Sequence, residues 1–154
     1  MSENKIFVTA AEAVVESNEW TRNEWLCRPD FVALDKLLML KATMQPGHCH
    51  PFHCHPHREE ILHFVSGRAE QWVGEEYRIL EPGDVAIIRA GEVHATYNPF
   101  EEPLVFHAIL SPGTLESPLD EAPDPQDVSD QEPWKSLRKG MTPCAVLGGT
   151  DRSK

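Results

Sequence analysis

From residue 60 to residue 113 the chain alternates short apolar runs with turn-forming residues, and this rhythm limits the fold more than any other feature. The runs are EILHFV, AEQWV, YRIL, VAII, VHATY and LVFHAIL. They are separated by Ser66-Gly67, Gly74-Glu75-Glu76, Glu81-Pro82-Gly83-Asp84, Arg89-Ala90-Gly91 and Asn98-Pro99, and closed by Ser111-Pro112-Gly113. Apolar runs of this length with a turn signal about every eight to twelve residues predict an all-β sandwich or barrel. The thirteen prolines point the same way, because proline favours turns and strand edges over long helices. At 154 residues the chain has the length of one domain.

The flanks differ in character. Residues 1–30 are expected to form an N-terminal arm. Its AAEAVVESNEW segment could make a helical turn or two, and its Trp20 and Trp25 would dock on the domain. Residues 31–112 are expected to form the barrel, beginning with two strands within FVALDKLLMLKATM. Residues 113–154, which begin as an acidic, proline-rich run with little to bury, are expected to form an extended arm or tail. Trp134 and Leu137 are its candidate anchors.

Charge narrows the partners. Fourteen basic against 25 acidic residues give a net charge of −11, which disfavours a sequence-independent grip on nucleic acid or on an anionic membrane. No apolar run of about 18 residues and no basic-then-apolar leader is visible, so a cytoplasmic location is expected. Cys27, Cys49, Cys54 and Cys144 lack zinc-ribbon spacing and are expected to be free thiols.

The chemistry concentrates in GHCHPFHCHPHREEILHFVSG, residues 47–67, which holds six of the eight histidines. His53 and His55 are two apart, so on a strand both leave the same face and can reach one ion. Pro56 breaks that strand, and either Glu59 or Glu60 can return as an oxygen ligand from the start of the next one. His94, on a later strand, is the candidate fourth donor. Three imidazoles and a carboxylate suit one divalent transition metal per chain, Fe, Mn, Zn, Ni or Co, and an octahedral ion would keep two positions for water or substrate.

The same residues resemble the two signatures of the cupin superfamily. Gly47, His53, His55, Glu60 and Gly67 match the first; Gly83, Gly91, His94 and Asn98 match the second, with Arg89 where the family has proline. The resemblance selects Glu60 over Glu59. It implies a double-stranded β-helix, or jelly-roll, barrel with the metal inside it, commonly in a homodimer or higher assembly. It also implies a small-molecule substrate or ligand. Dioxygenase chemistry is favoured on family frequency, with isomerase or lyase chemistry, or ligand binding without turnover, as alternatives.

Strand parity extends the candidate site. If Glu60 points inward, so do Leu62 and Phe64, and either Gln71 or Trp72 must do the same on the partner strand. Gln71 and Thr96 are the candidate polar substrate contacts, with Leu62 and Phe64 as an apolar wall. His107, with an apolar residue on either side, is the candidate acid/base, or else a sheet histidine. His48 and His50 read as rim or surface residues on the opposite strand parity, unless Pro51 interrupts it.

Overall fold

A computed structural model describes residues 4–114 and 124–145. Eleven strands are named among them: β1 (Val14–Ser17), β2 (Arg22–Cys27), β3 (Leu38–Met44), β4 (Cys49–Cys54), β5 (Glu59–Ser66), β6 (Ala69–Val73), β7 (Glu76–Leu80), β8 (Val85–Ile88), β9 (His94–Tyr97), β10 (Leu104–Ser111) and β11 (Gln126–Asp127). A single helical turn, α1 (Trp134–Leu137), follows. The strands form two antiparallel sheets, ordered β1-β2-β3-β10-β5-β8 and β11-β4-β9-β6-β7. Such a double-sheet jelly roll is the architecture that the rhythm and the two signatures predict. No helix among the described residues is long and apolar enough to cross a membrane.

Alternation sets what lies between the sheets. On β3 and β10 every second residue is buried. Leu38, Leu40, Ala42, Met44, Leu62, Phe64, Ile88, Leu104, Phe106, Ala108 and Leu110 together form the main core. Strand β9 is buried along its whole length and β6 along all but its last residue, because both faces of their sheet are covered. On the far face, Cys49, Phe52, Trp72, Ala95 and Tyr97 pack against Val128, Trp134, Leu137 and Met141.

That second layer shows where the C-terminal segment goes. β11 pairs with β4, Gln126 opposite Cys54 and Asp127 opposite His53. Trp134 and Leu137 therefore anchor the segment to its own barrel. The expected arm over residues 113–154 includes 115–123 and 146–154, which lie outside the described residues.

Two local expectations are corrected. FVALDKLLMLKATM holds one strand, β3, and not two. Its first part folds back in a turn, with Phe31 and Val32 N–H donating to Arg28 O, and 33–37 stand exposed, so period-2 burial begins only at Leu38. AAEAVVESNEW makes a 3-10 turn at Ala10–Glu12 and then strand β1. β1 and β2 form a hairpin that continues the six-stranded sheet, and Trp25 packs on the main core.

Candidate metal centre

His53 is the penultimate residue of β4 and His55 lies just beyond its end, Glu60 is the second residue of β5, and His94 opens β9 directly opposite His53. The backbone of the second signature explains its remaining residues. Gly91, at φ +77°, turns the chain so that its N–H donates to His55 O at 2.8 Å. Asn98 is fully buried; its amide donates to Met44 O and Glu102 O and accepts from Phe100 N–H, tying together the loops around β9. Arg89 still makes the turn without proline, through Glu92 N–H to Arg89 O and Arg89 N–H to the Glu92 carboxylate. Its side chain is exposed.

The four side chains are buried and each offers one donor atom, all within 4.8 Å of one another. The outer nitrogen of each imidazole is engaged. His53 Nδ1 lies 2.7 Å from Pro51 O, His94 Nδ1 2.9 Å from Glu92 O, and His55 Nδ1 2.5 Å from Asp124 Oδ1. These acceptors place the proton on Nδ1, so each neutral ring turns a bare Nε2 inward. His94 Nε2 stands 2.9 Å and His55 Nε2 3.3 Å from Glu60 Oε2. His94 Nε2 and Glu60 Oε2 are both buried without a hydrogen-bond partner. With the rings neutral, lone pairs facing at such distances are the arrangement a cation relieves. The separations are those of adjacent donors around an ion at about 2.0–2.2 Å. The donor set fits a divalent metal.

Electrostatics in the metal-free chain agree. Burial raises the Glu60 pKa, but the adjacent His55 and His94 rings outweigh it and hold the carboxyl well below its usual range. Burial, with His50, His94 and His55 as neighbours, holds His53 well below the ordinary imidazole value. For His55, burial pulls the pKa down, yet Asp124 and Glu60 overcome it and leave it at about 9. A protonated His55 stabilises the metal-free fold below the unfolded imidazole value, and that contribution is lost as pH rises through about 9. Ligation needs the neutral ring, so metal uptake should release a proton. Apparent affinity should then rise up to about tenfold per pH unit until about pH 9. Titrations in buffers of different ionisation enthalpy read the proton directly, and a pH-independent affinity between 6 and 9 would contradict the assignment.

The four donors border a cavity of about 210 Å³. Trp25, Leu38, Leu40, Leu62, Phe106 and Leu110 are among its apolar walls, and Asn23, Thr96, Arg58 and Asp124 are among its polar ones.

Of the other candidates, Leu62 and Thr96 border this cavity. Phe64 is buried beside it, against Phe106, and does not border it. Gln71 faces inward and Trp72 lies in the outer layer. The Gln71 amide is committed, accepting from Thr96 Oγ1 at 2.6 Å and donating to Trp72 O, so it supports Thr96 instead of reaching the cavity. The acid/base placement of His107 is corrected. Leu104, Phe106, Ala108 and Leu110 take the inward positions of β10, so His107 points out of the barrel, opposite His63, with their rings 5.8 Å apart.

His50 is a residue that sequence reasoning undervalued. Between His50 and His53 the β4 strand carries one residue more than the facing Thr96–His94 segment, a β-bulge at Pro51-Phe52. The bulge restores His50 to the inward face. Its ring stacks on His53 with centroids 3.5 Å apart and on Trp20 at 4.1 Å, and its Nε2 is buried without a partner. Pro51 was the available signal. Asp124 and Arg58 carried none.

The family model described as a cupin domain matches residues 40–110, the span from β3 to β10. No curated protein matches the chain. Among solved structures, a double-stranded β-helix protein from Klebsiella pneumoniae is 26% identical, covering 72% of this chain and 93% of its own, with a TM-score of 0.59. The DMSP lyase DddQ from Ruegeria pomeroyi is 28% identical over 70% of this chain and 59% of its own, at 0.58. KdgF from Halomonas sp. shares the fold at 18% identity, covering 71% and 94%, at 0.62. With both signatures, the jelly-roll barrel and the family match in agreement, residues 40–110 form a cupin domain.

Proposed function

We propose that this protein is a metal-dependent dioxygenase acting on a compact organic substrate that carries an oxygen donor. The observation that carries the reading is the convergence of His53, His55, Glu60 and His94 at a cavity whose remaining walls are largely apolar. At about 210 Å³ the cavity is smaller than the ~300–1,000 Å³ typical of ligand pockets, which favours a small substrate. His53, His55, Glu60 and His94 would hold a divalent ion beside the cavity, and that ion would supply Lewis acidity and, if it is iron, electron transfer with dioxygen.

The chain's own residues supply the rest. Trp25, Leu40, Leu62, Phe106 and Leu110 exclude water from the end that takes the apolar part of the substrate. Thr96 sends its proton to Gln71 and so offers oxygen lone pairs to a substrate donor. Both Asp124 oxygens are engaged, one with His55 and the other with Arg58. With that carboxylate committed, the wall favours chemistry at the metal over proton transfer by a side chain.

The unpartnered His50 Nε2 is the exception and favours a second reading, a lyase in which His50 hydrogen-bonds the substrate. Likeness to a DMSP lyase is consistent with it. Oxygen consumption by the iron(II)-loaded protein, followed over phenolic, enediol and keto-acid substrates, separates the readings. The dioxygenase reading expects stoichiometric oxygen uptake with product. Turnover that persists without oxygen would transfer the assignment to a lyase, and saturable binding without turnover would leave a ligand-binding barrel.

A further inference from the structure

Two stretches outside the span matched by the family reach the metal donors. Trp20, between β1 and β2, touches them through His50, whereas Asp124, just before β11, touches one directly. We propose that Asp124 is a positioning residue of the metal centre. It fixes the tautomer and orientation of His55, so the C-terminal segment is a working part of the site. The proposal rests on the metal-binding reading above.

The need for Asp124 follows from how the three imidazoles are held. His53 and His94 each direct Nδ1 at a carbonyl two residues back, Pro51 O and Glu92 O, so their own strands orient them. His55 lies beyond the end of β4, and its Nδ1 meets a carboxylate 69 positions away. Arg58 holds the other oxygen of Asp124, and its Nε donates to Pro112 O at 2.9 Å, which fixes the guanidinium against the end of β10. A carboxylate behind a ligating histidine fixes its ring and raises its basicity.

The segment is also fixed in place. Beyond the β11–β4 pairing, Val128 N–H donates to Phe52 O at 2.9 Å. The Trp134 ring lies 5.7 Å from that of Phe52. Farther on, Arg138 grips the buried Glu70 through Nε and an Nη donor at 2.6 and 2.9 Å, with its guanidinium 3.8 Å from the Tyr97 ring centroid. Glu70 accepts Trp72 Nε1–H as well, so the anchor is a satisfied polar cluster under the segment.

Cobalt(II) titration of the full-length metal-free protein, with visible spectra and circular dichroism, tests this on wild type, Asp124→Ala and Asp124→Asn. Asp124→Ala should bind cobalt about 10–100-fold more weakly with an altered visible band, and Asp124→Asn, which can still accept from Nδ1, should lose less. Wild-type affinity and spectrum in a folded Asp124→Ala would overturn the proposal, even with a lowered melting temperature, because that is what a purely structural role gives. If Asp124→Ala does not fold, Arg138→Met, which touches none of the four donors, replaces it. Weaker cobalt binding by that variant supports the proposal and unchanged binding overturns it. A wild type that takes up no cobalt at all fails the metal reading itself, and the proposal falls with it.

Discussion

His94→Ala is expected to lose metal affinity by more than the ~10–100-fold that removal of an outer hydrogen-bond partner costs, since it deletes a donor outright. His94 is 1% exposed and its Nε2 lies 2.9 Å from Glu60 Oε2, so its removal takes a buried donor out of the set. The effect reads out as stability. Ligand at 100 times its dissociation constant adds about 2.7 kcal/mol to the folded state. For a chain of this size that raises the melting temperature by roughly 5–10 °C. Wild type should show such a shift on adding metal, and His94→Ala should show almost none at the same concentration. Equal shifts in the two proteins would place the ion elsewhere.

The second large effect concerns the barrel that holds the donors. Gly67, between β5 and β6, has φ +76°, and a Cβ there would overlap Pro103 O and come within 3.1 Å of Leu104 Cα. Both neighbours are backbone at the start of β10, and Leu104 is fully buried, so neither can move aside cheaply. Gly67→Ala should therefore cost about 3 kcal/mol or more, a left-handed backbone penalty of about 1–2 kcal/mol plus the steric displacement. Gly91, with a similar φ of +77°, meets only Pro56 O at 3.9 Å, so Gly91→Ala should cost about 1–2 kcal/mol. Urea unfolding of the two variants compares them, and equal midpoints would show that the approach of Pro103 carries no weight.

The order of β5 to β10 was legible because each apolar run ends at a residue with turn chemistry, such as Ser66-Gly67 or Glu81-Pro82-Gly83-Asp84. The donor set was legible because spacing survives folding. His53 and His55, two apart across the end of β4, converge on one site, and the two signatures fix Glu60 and His94. Parity alone did not decide whether Pro51 interrupts β4; the bulge at Pro51-Phe52 does so and turns His50 inward. His107 failed for a related reason. Val105 and Ile109 on its side of β10 are as apolar as Phe106 and Ala108 on the other, so hydrophobicity alone does not say which set faces the core. Asp124 was hidden by distance. Its surroundings, SPLDEAPDPQDVSDQEP, have a tail's composition, and nothing local announces a carboxylate that meets His55 from 69 positions away.

The central claim is that the four donors hold a metal, and elemental analysis of the full-length protein, purified without a metal-affinity step, tests it most directly. About one equivalent of a divalent transition metal per chain is the predicted result, removable by chelation and restored on reconstitution. A wild-type protein that carries no metal and takes up none from iron, manganese, zinc, nickel or cobalt would contradict the account. The facing lone pairs of Glu60 and His94 would then need another partner.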